Sequence, residues 1–266
     1  WPALAIARDH FSCIYSPLFP FMTSHAHFSV IHEDAHLLVL DKPADLLSVP
    51  GRGADRQDCL ARRVQTIWPE ALIVHRLDMA TSGLLVMARS AAVHRSLSMA
   101  FAARQVHKRY VAVVEGVLPQ TALDAEGWST IDAPLIVDWP HRPRSKIDPV
   151  LGKPSLTRWR VLPADAAAHS GMLTPDWHRP DDAHTVLELA PVTGRSHQLR
   201  VHLQSLGHPI AGDTLYGSPE NQAMAPRLLL HACMLELVHP CTGAHMRWDC
   251  PTNFAVPARN QIGRAS

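Results

Sequence analysis

Apolar positions along the chain gather in short blocks, and from Phe28 onward those blocks predict sheet. Phe28-Ser29-Val30-Ile31 and Leu37-Leu38-Val39-Leu40 flank a polar turn from His32 to His36, and the second is closed by Asp41-Lys42-Pro43, the signature of two short strands. Leu72-Ile73-Val74 and Leu84-Leu85-Val86-Met87 predict two more. Between them runs His75 to Gly83, whose Thr81-Ser82-Gly83 end has turn chemistry. Ser90 to Val106 predicts a helix with Ser90 as N-cap and Val93, Leu97 and Phe101 on one face, after which Tyr110 to Val114 returns to strand character.

The second half is less regular. Asp138 to Thr157 is basic, contains prolines and shows little periodicity, so it reads as a long surface excursion. Thr157 to Leu162 and Thr185 to Ala190 predict paired strands. A short helix follows from about His197 to Leu206, with Ser196 to cap it and Gly207 to end it. Leu228 to Leu230, Met234 to Leu237 and Met246 to Trp248 predict closing strands. Residues 1–24 are expected to be a disordered or over-read extension, 25–255 the folded domain and 256–266 a polar tail.

Composition narrows the class. In 266 residues, 47% hydrophobic and 18% charged content describes a core-forming globular protein. Lys and Arg exceed Asp and Glu by 25 to 24, so any nucleic-acid partner must be attracted by a local basic patch. The five cysteines include no C-x-x-C pair, which argues against a zinc ribbon or disulfide framework and for a reducing, cytoplasmic setting. No stretch approaches the roughly 18 apolar residues of a membrane span, so a soluble protein is expected.

Two strings carry candidate chemistry. His32-Glu33-Asp34-Ala35-His36 matches the zinc-peptidase motif by letter, but that motif needs a helix to put both histidines on one face, and here it sits between strand-like runs. The expected metal and cofactor complement is none. The second string is His75-Arg76-Leu77-Asp78-Met79-Ala80-Thr81-Ser82-Gly83, which alone could be a turn whose Asp and Ser satisfy backbone groups. Its company changes that: Lys108-Arg109-Tyr110-Val111-Ala112, then Gly194-Arg195-Ser196-His197-Gln198-Leu199-Arg200-Val201-His202, then Leu229-Leu230-His231-Ala232.

These strings, in this order, resemble the RluA family of pseudouridine synthases, whose signature H-R-L-D-x-x-T-S-G is complete here. The resemblance runs from about Ile31 to Pro251 and leaves no segment for the S4-like RNA-binding domain that some relatives carry. It implies an α+β domain on a large mixed, mostly antiparallel sheet with flanking helices and a central catalytic cleft. It further implies uridine isomerisation in structured RNA, with a tRNA anticodon stem-loop and a 23S rRNA hairpin as substrates. Oligomeric state is left open, with a monomer favoured.

By the same resemblance Asp78 is the nucleophile or base, Tyr110 packs on the target base, and Arg200 pairs with the Asp78 carboxylate. The chemistry agrees. Detaching and rejoining uracil needs a carboxylate beside the sugar, an arginine would keep a buried carboxylate charged and oriented, and a flat ring suits an unstacked base. Arg76 would fill the space left by a flipped base, His75 would shape the loop, and Leu229 or Leu230 would wall the uracil. For phosphate the candidates are Lys108, Arg109, Arg142, Arg144, Lys146, Arg195 and His197. A catalytically silent RNA-binding or chaperone protein on the same fold is the rival reading.

Overall fold

Leu37 to Leu40 and Leu84 to Ala88 are uninterrupted apolar runs because the strands they form are covered on both faces. In the computed structural model β3 (Leu37–Lys42) and β5 (Ser82–Ala88) pair antiparallel, and the two-residue period of a strand sorts their side chains into two cores. Leu38, Leu40, Leu85 and Met87 join the larger core, whereas Leu37, Val39, Leu84, Val86 and Ala88 join the smaller. The structure describes residues 24, 25, 28–120, 122–163, 172, 184–252 and 254. The expected extension, Ser24 apart, and the expected tail lie outside the described residues.

Among the described residues the main sheet has eleven strands. Besides β3 and β5 they are β1 (Ser24–His25), β2 (Phe28–Glu33), β4 (Leu72–Ile73), β6 (His107–Glu115), β7 (Ser129–Asp132), β10 (Leu156–Val161), β11 (His184–Pro191), β12 (Leu230–Val238) and β13 (His245–Asp249). Their order is β1-β2-β3-β5-β12-β6-β11-β10-β7, with β4 added to β5 and β13 to β12. The β5–β12 pair is parallel and the other pairs are antiparallel. Helix α1 (Leu60–Gln65) packs on the larger core through Leu60 and Val64, and α2 (Ala91–Ala102) on the smaller through Val93 and Leu97. Helix α3 (Gln198–Ser205) returns to the larger core through Leu199 and Leu203, and α4 (Pro219–Ala223) is a single short turn. The mixed α+β architecture is the one the motifs implied.

The centre of the sheet is a fork. Ser82 and Gly83 at the start of β5 pair with His231 and Ala232 of β12. Beyond Ala232 the register of β12 shifts and Met234 to Val238 pair with β13 instead. Gly83 sits at the closest approach with φ of 110°, where a Cβ would stand 2.3 Å from the Ala232 carbonyl oxygen, so only glycine fits.

Three local expectations are corrected. Leu228 to Leu230 and Met234 to Leu237 are not separate strands, since β12 runs unbroken from Leu230. Ser196 does not cap α3: His197 occupies that position in the left-handed region, φ 57°, with no side-chain cap. Gln198 compensates, its Oε1 accepting from Arg195 N at 3.0 Å and Thr193 Oγ1 at 2.7 Å. The excursion over Asp138 to Thr157 is more ordered than its pattern suggests. It holds β9 (Ser145–Ile147), which pairs with β8 (Leu135–Val137) in a separate hairpin, strands too short for a period of two to register.

Candidate active site

Asp78 lies on the loop that joins β4 to β5, and both of its neighbours are pinned. Ser48 Oγ donates to the Leu77 carbonyl at 2.8 Å and accepts from Leu77 N at 3.1 Å. On the other side the Met79 carbonyl takes a 3.1 Å bond from Lys42 Nζ, which also bonds Leu46 O and Pro43 O at 2.8 and 2.7 Å. Lys42 is fully buried, and burial pushes its ammonium down to about 8. The sequence marked Lys42 only as a strand end; its role as an anchor of the Asp78 loop depends on a contact 37 residues away.

The loop opens into a cleft of about 530 Å³. Arg200 Nη1 stands 3.8 Å from Asp78 Oδ2, and His197 Nε2 stands 3.9 Å from Oδ1. The expected pairing of Arg200 with Asp78 is therefore present but long. The close partner of Arg200 is Asp213, through bonds of 2.8 and 2.6 Å. Asp213 Oδ1 is itself held by the N–H groups of Leu215 and Tyr216 at 2.9 and 3.0 Å.

Tyr216 ties the network together. Its ring lies 5.1 Å from the Arg200 guanidinium carbon, and its oxygen accepts from Ser145 N at 2.7 Å and meets His197 Nδ1 at 2.8 Å. The imidazole tautomer sets which partner of that bond donates, and the other ring nitrogen, Nε2, is the one that faces Asp78. Burial holds the His197 imidazole below its usual range. Neither Asp213 nor Tyr216 was singled out from sequence; the only signal was the string Asp213-Thr214-Leu215-Tyr216-Gly217.

Tyr110 and Lys108 share one face of β6 and both line the cleft, as does Leu230 at the start of β12. Burial, with the Asp78 charge second, pushes the Tyr110 hydroxyl above its usual range, and that hydroxyl makes no hydrogen bond among the described residues. Of the two candidate wall residues only Leu230 reaches the cleft; Leu229 is in the core. Arg76 is exposed, lines the cleft and has no hydrogen-bond or ionic partner among the described residues. His75 stacks on Phe101 with centroids 4.6 Å apart, and its Nε2 accepts from Val86 N at 3.0 Å. Phe101, expected only as a helix core position, is thus part of the cleft wall, with Lys108 Nζ 5.7 Å from its ring.

Arg195 lines the cleft, whereas Arg109, Arg142, Arg144 and Lys146 do not. Arg109 pairs with Glu188 at 3.2 Å and lies over Trp128. Alternation along β6 made this foreseeable, since Arg109 cannot share a face with Tyr110. Arg142 covers Trp139, Arg144 bonds the Leu215 carbonyl, and Lys146 is exposed on β9. Among the described residues the cleft lining carries five cationic side chains, Arg76, Arg104, Lys108, Arg195 and Arg200, against the single carboxylate of Asp78. A nearly neutral chain thus concentrates positive charge where it matters.

Neither metal-like grouping points to the cleft. His32 lies on β2 and His36 follows the turn, so their string is not helical, and Asp34 takes bonds from His32 Nε2 at 2.9 Å and His239 Nε2 at 3.2 Å. Asp41, His231 and Cys250 bring donor atoms within 4.8 Å of one another, but both His231 nitrogens are engaged, by Ser82 Oγ and the Cys250 carbonyl, each at 2.8 Å.

The fold and this cleft define a class: the chain belongs to the RNA pseudouridylate synthase family, whose model matches residues 36–205, and is an isomerase acting on RNA. It is 45% identical over 225 residues to the dual-specificity RNA pseudouridine synthase RluA of Escherichia coli, spanning 85% of this chain and 93% of that protein. To RluA of Vibrio cholerae it is 41% identical over 233 residues, or 88% and 86% of the two chains. Its fold is similar to that of human RNA pseudouridylate synthase domain containing 1, with a TM-score of 0.64 and 27% identity, covering 84% of this chain and 83% of that one. Among the described residues no helix is long and apolar enough to cross a membrane.

Proposed function

We propose that Asp78 is the carboxylate through which this chain converts uridine to pseudouridine, on both a tRNA anticodon stem-loop and a 23S rRNA hairpin. Isomerisation breaks the N1–C1′ bond, forms C5–C1′, releases the C5 proton and returns one to N1, so atoms and electrons balance without a co-substrate. Asp78 either attacks C1′ or removes the C2′ proton. Tyr110 stacks on the uracil and Leu230 walls it. His197 Nε2 and the guanidinium of Arg200 orient the carboxylate and the sugar beside it.

Reaching a uridine inside a stem-loop requires taking it out of its stack, and Arg76, which lines the cleft without a hydrogen-bond or ionic partner among the described residues, fills the gap. Lys108 and Arg195 hold phosphates beside it. The observation that carries this reading is that Asp78 is the one carboxylate among the described residues lining a cleft that also carries five cationic side chains and the Tyr110 ring.

Tritium release from RNA carrying 5-tritiated uridine tests it, because forming the C5–C1′ bond expels that tritium. Wild type is expected to release tritium from both RNAs, and Asp78→Asn from neither. Release from one RNA only would remove the dual specificity; RNA binding without release from any RNA would favour the silent RNA-binding protein.

A further inference from the structure

The hairpin of β8 and β9 stands beside the cleft and carries an aromatic residue that the catalytic site does not use. Trp139 is 64% exposed, the most open aromatic among the described residues. The guanidinium of Arg142 lies over its ring at 4.2 Å, which leaves the opposite face of the indole to water. The turn that presents it is held by four bonds: Asp138 N to Arg144 O at 2.9 Å, His141 N to Asp138 O at 3.0 Å, Arg144 N to His141 O at 3.0 Å, and the His141 ring to the Asp138 carboxylate at 2.9 Å. An exposed tryptophan so braced loses little freedom on binding.

The hairpin is also tied to the site. Ser145, opposite Val137, donates to the Tyr216 hydroxyl that bonds His197, and Arg144 bonds the Leu215 carbonyl. Trp139 is two residues beyond Val137, at the start of a single 3-10 turn over Trp139–His141, and so at most roughly 7 Å from the strand end, a step of only a few nucleotides. Arg142 packs on it, and Arg144 and Lys146 add positive charge to the same hairpin.

We propose that the open face of Trp139 is a stacking platform for an unpaired base of the substrate RNA, a few nucleotides from the uridine held over Asp78. This rests on the RNA-modifying reading above. Any base offers a π-face, so such a platform suits loops of different sequence, with Arg142 contributing a cation–π contact from behind.

The test uses Asp78→Asn protein, which binds without turnover, and a tRNA anticodon stem-loop in which loop nucleotides are replaced one at a time by abasic sites. Adding Trp139→Ala is expected to weaken stem-loop binding roughly ten- to hundredfold. One abasic position should weaken Asp78→Asn by a similar factor yet add nothing once Trp139 is gone, and the quenching of tryptophan fluorescence on binding should be smaller in the Trp139→Ala protein, which keeps the other six of the seven tryptophans. Unchanged affinity in the Trp139→Ala protein, or abasic effects that add fully to it, would overturn the platform while leaving the proposed function intact. Absence of tritium release by wild type would overturn the RNA-modifying reading and this proposal with it.

Discussion

The guanidinium of Arg200 grips the carboxylate of Asp213 with two bonds, 2.8 and 2.6 Å long, and both side chains are buried. Arg200 thus reaches Asp78 with its remaining nitrogen as a shared, distant cation rather than a dedicated partner. Asp213→Ala leaves a buried guanidinium without its counter-ion, a loss of about 3–5 kcal/mol. Urea unfolding should show that loss, and tritium release should fall as Arg200 collapses toward Asp78. A fully stable Asp213→Ala protein would contradict the assignment.

Tyr110 separates ring from hydroxyl. Because the hydroxyl has no hydrogen-bond partner among the described residues, Tyr110→Phe should keep stability within about 0.5 kcal/mol. Tyr110→Ala, which empties part of the larger core, should cost about 3–5 kcal/mol. Any rate lost by the stable Tyr110→Phe protein is then chemistry of the hydroxyl rather than loss of fold.

Lys108 lines the cleft without a carboxylate partner among the described residues, and burial holds its ammonium below the usual lysine range. If it neutralises one phosphate, Lys108→Met should flatten the plot of log binding constant against log salt by about 0.7. An unchanged slope would remove Lys108 from the phosphate contacts.

Acid should weaken the fold through histidines. Burial pushes His75 down to about 3 and His231 down to about 4, from an ordinary value of 6.5. Between those values and 6.5 the unfolded chain binds protons that the native chain does not, so stability rises with pH across the window and is lost on acidification. His75→Phe keeps a ring against Phe101 but cannot protonate. Its unfolding midpoint should lie lower throughout, for want of the bond to Val86 N, yet fall less steeply than wild type from pH 6.5 to 4. Parallel slopes would refute the attribution to His75.

Much of the fold and of the site is legible in residue order alone. The strand blocks of Leu37 to Leu40 and Leu84 to Met87, the helix capped by Ser90, and the loop carrying Asp78 all declare themselves through local period and turn chemistry. What escapes are relations between distant segments. Asp213 looks like any loop aspartate until α3 brings Arg200 against it, and Lys42 looks like a strand end until its ammonium reaches Met79. Phe101 fits a helix core equally well whether it faces leucine or His75.

The sequence by itself determined the family motifs, the α+β pattern and the identity of the central carboxylate, because these depend on residue order and on neighbours a few positions away. Tertiary structure alone decided that Leu230 and not Leu229 meets the cleft, and that Arg200 belongs first to Asp213. It also decided why the motif ends in glycine at position 83, where β12 passes too close for a Cβ. That last outcome depends on which strands pair across the fork between β5 and β12, and register between segments some 150 residues apart leaves no local trace.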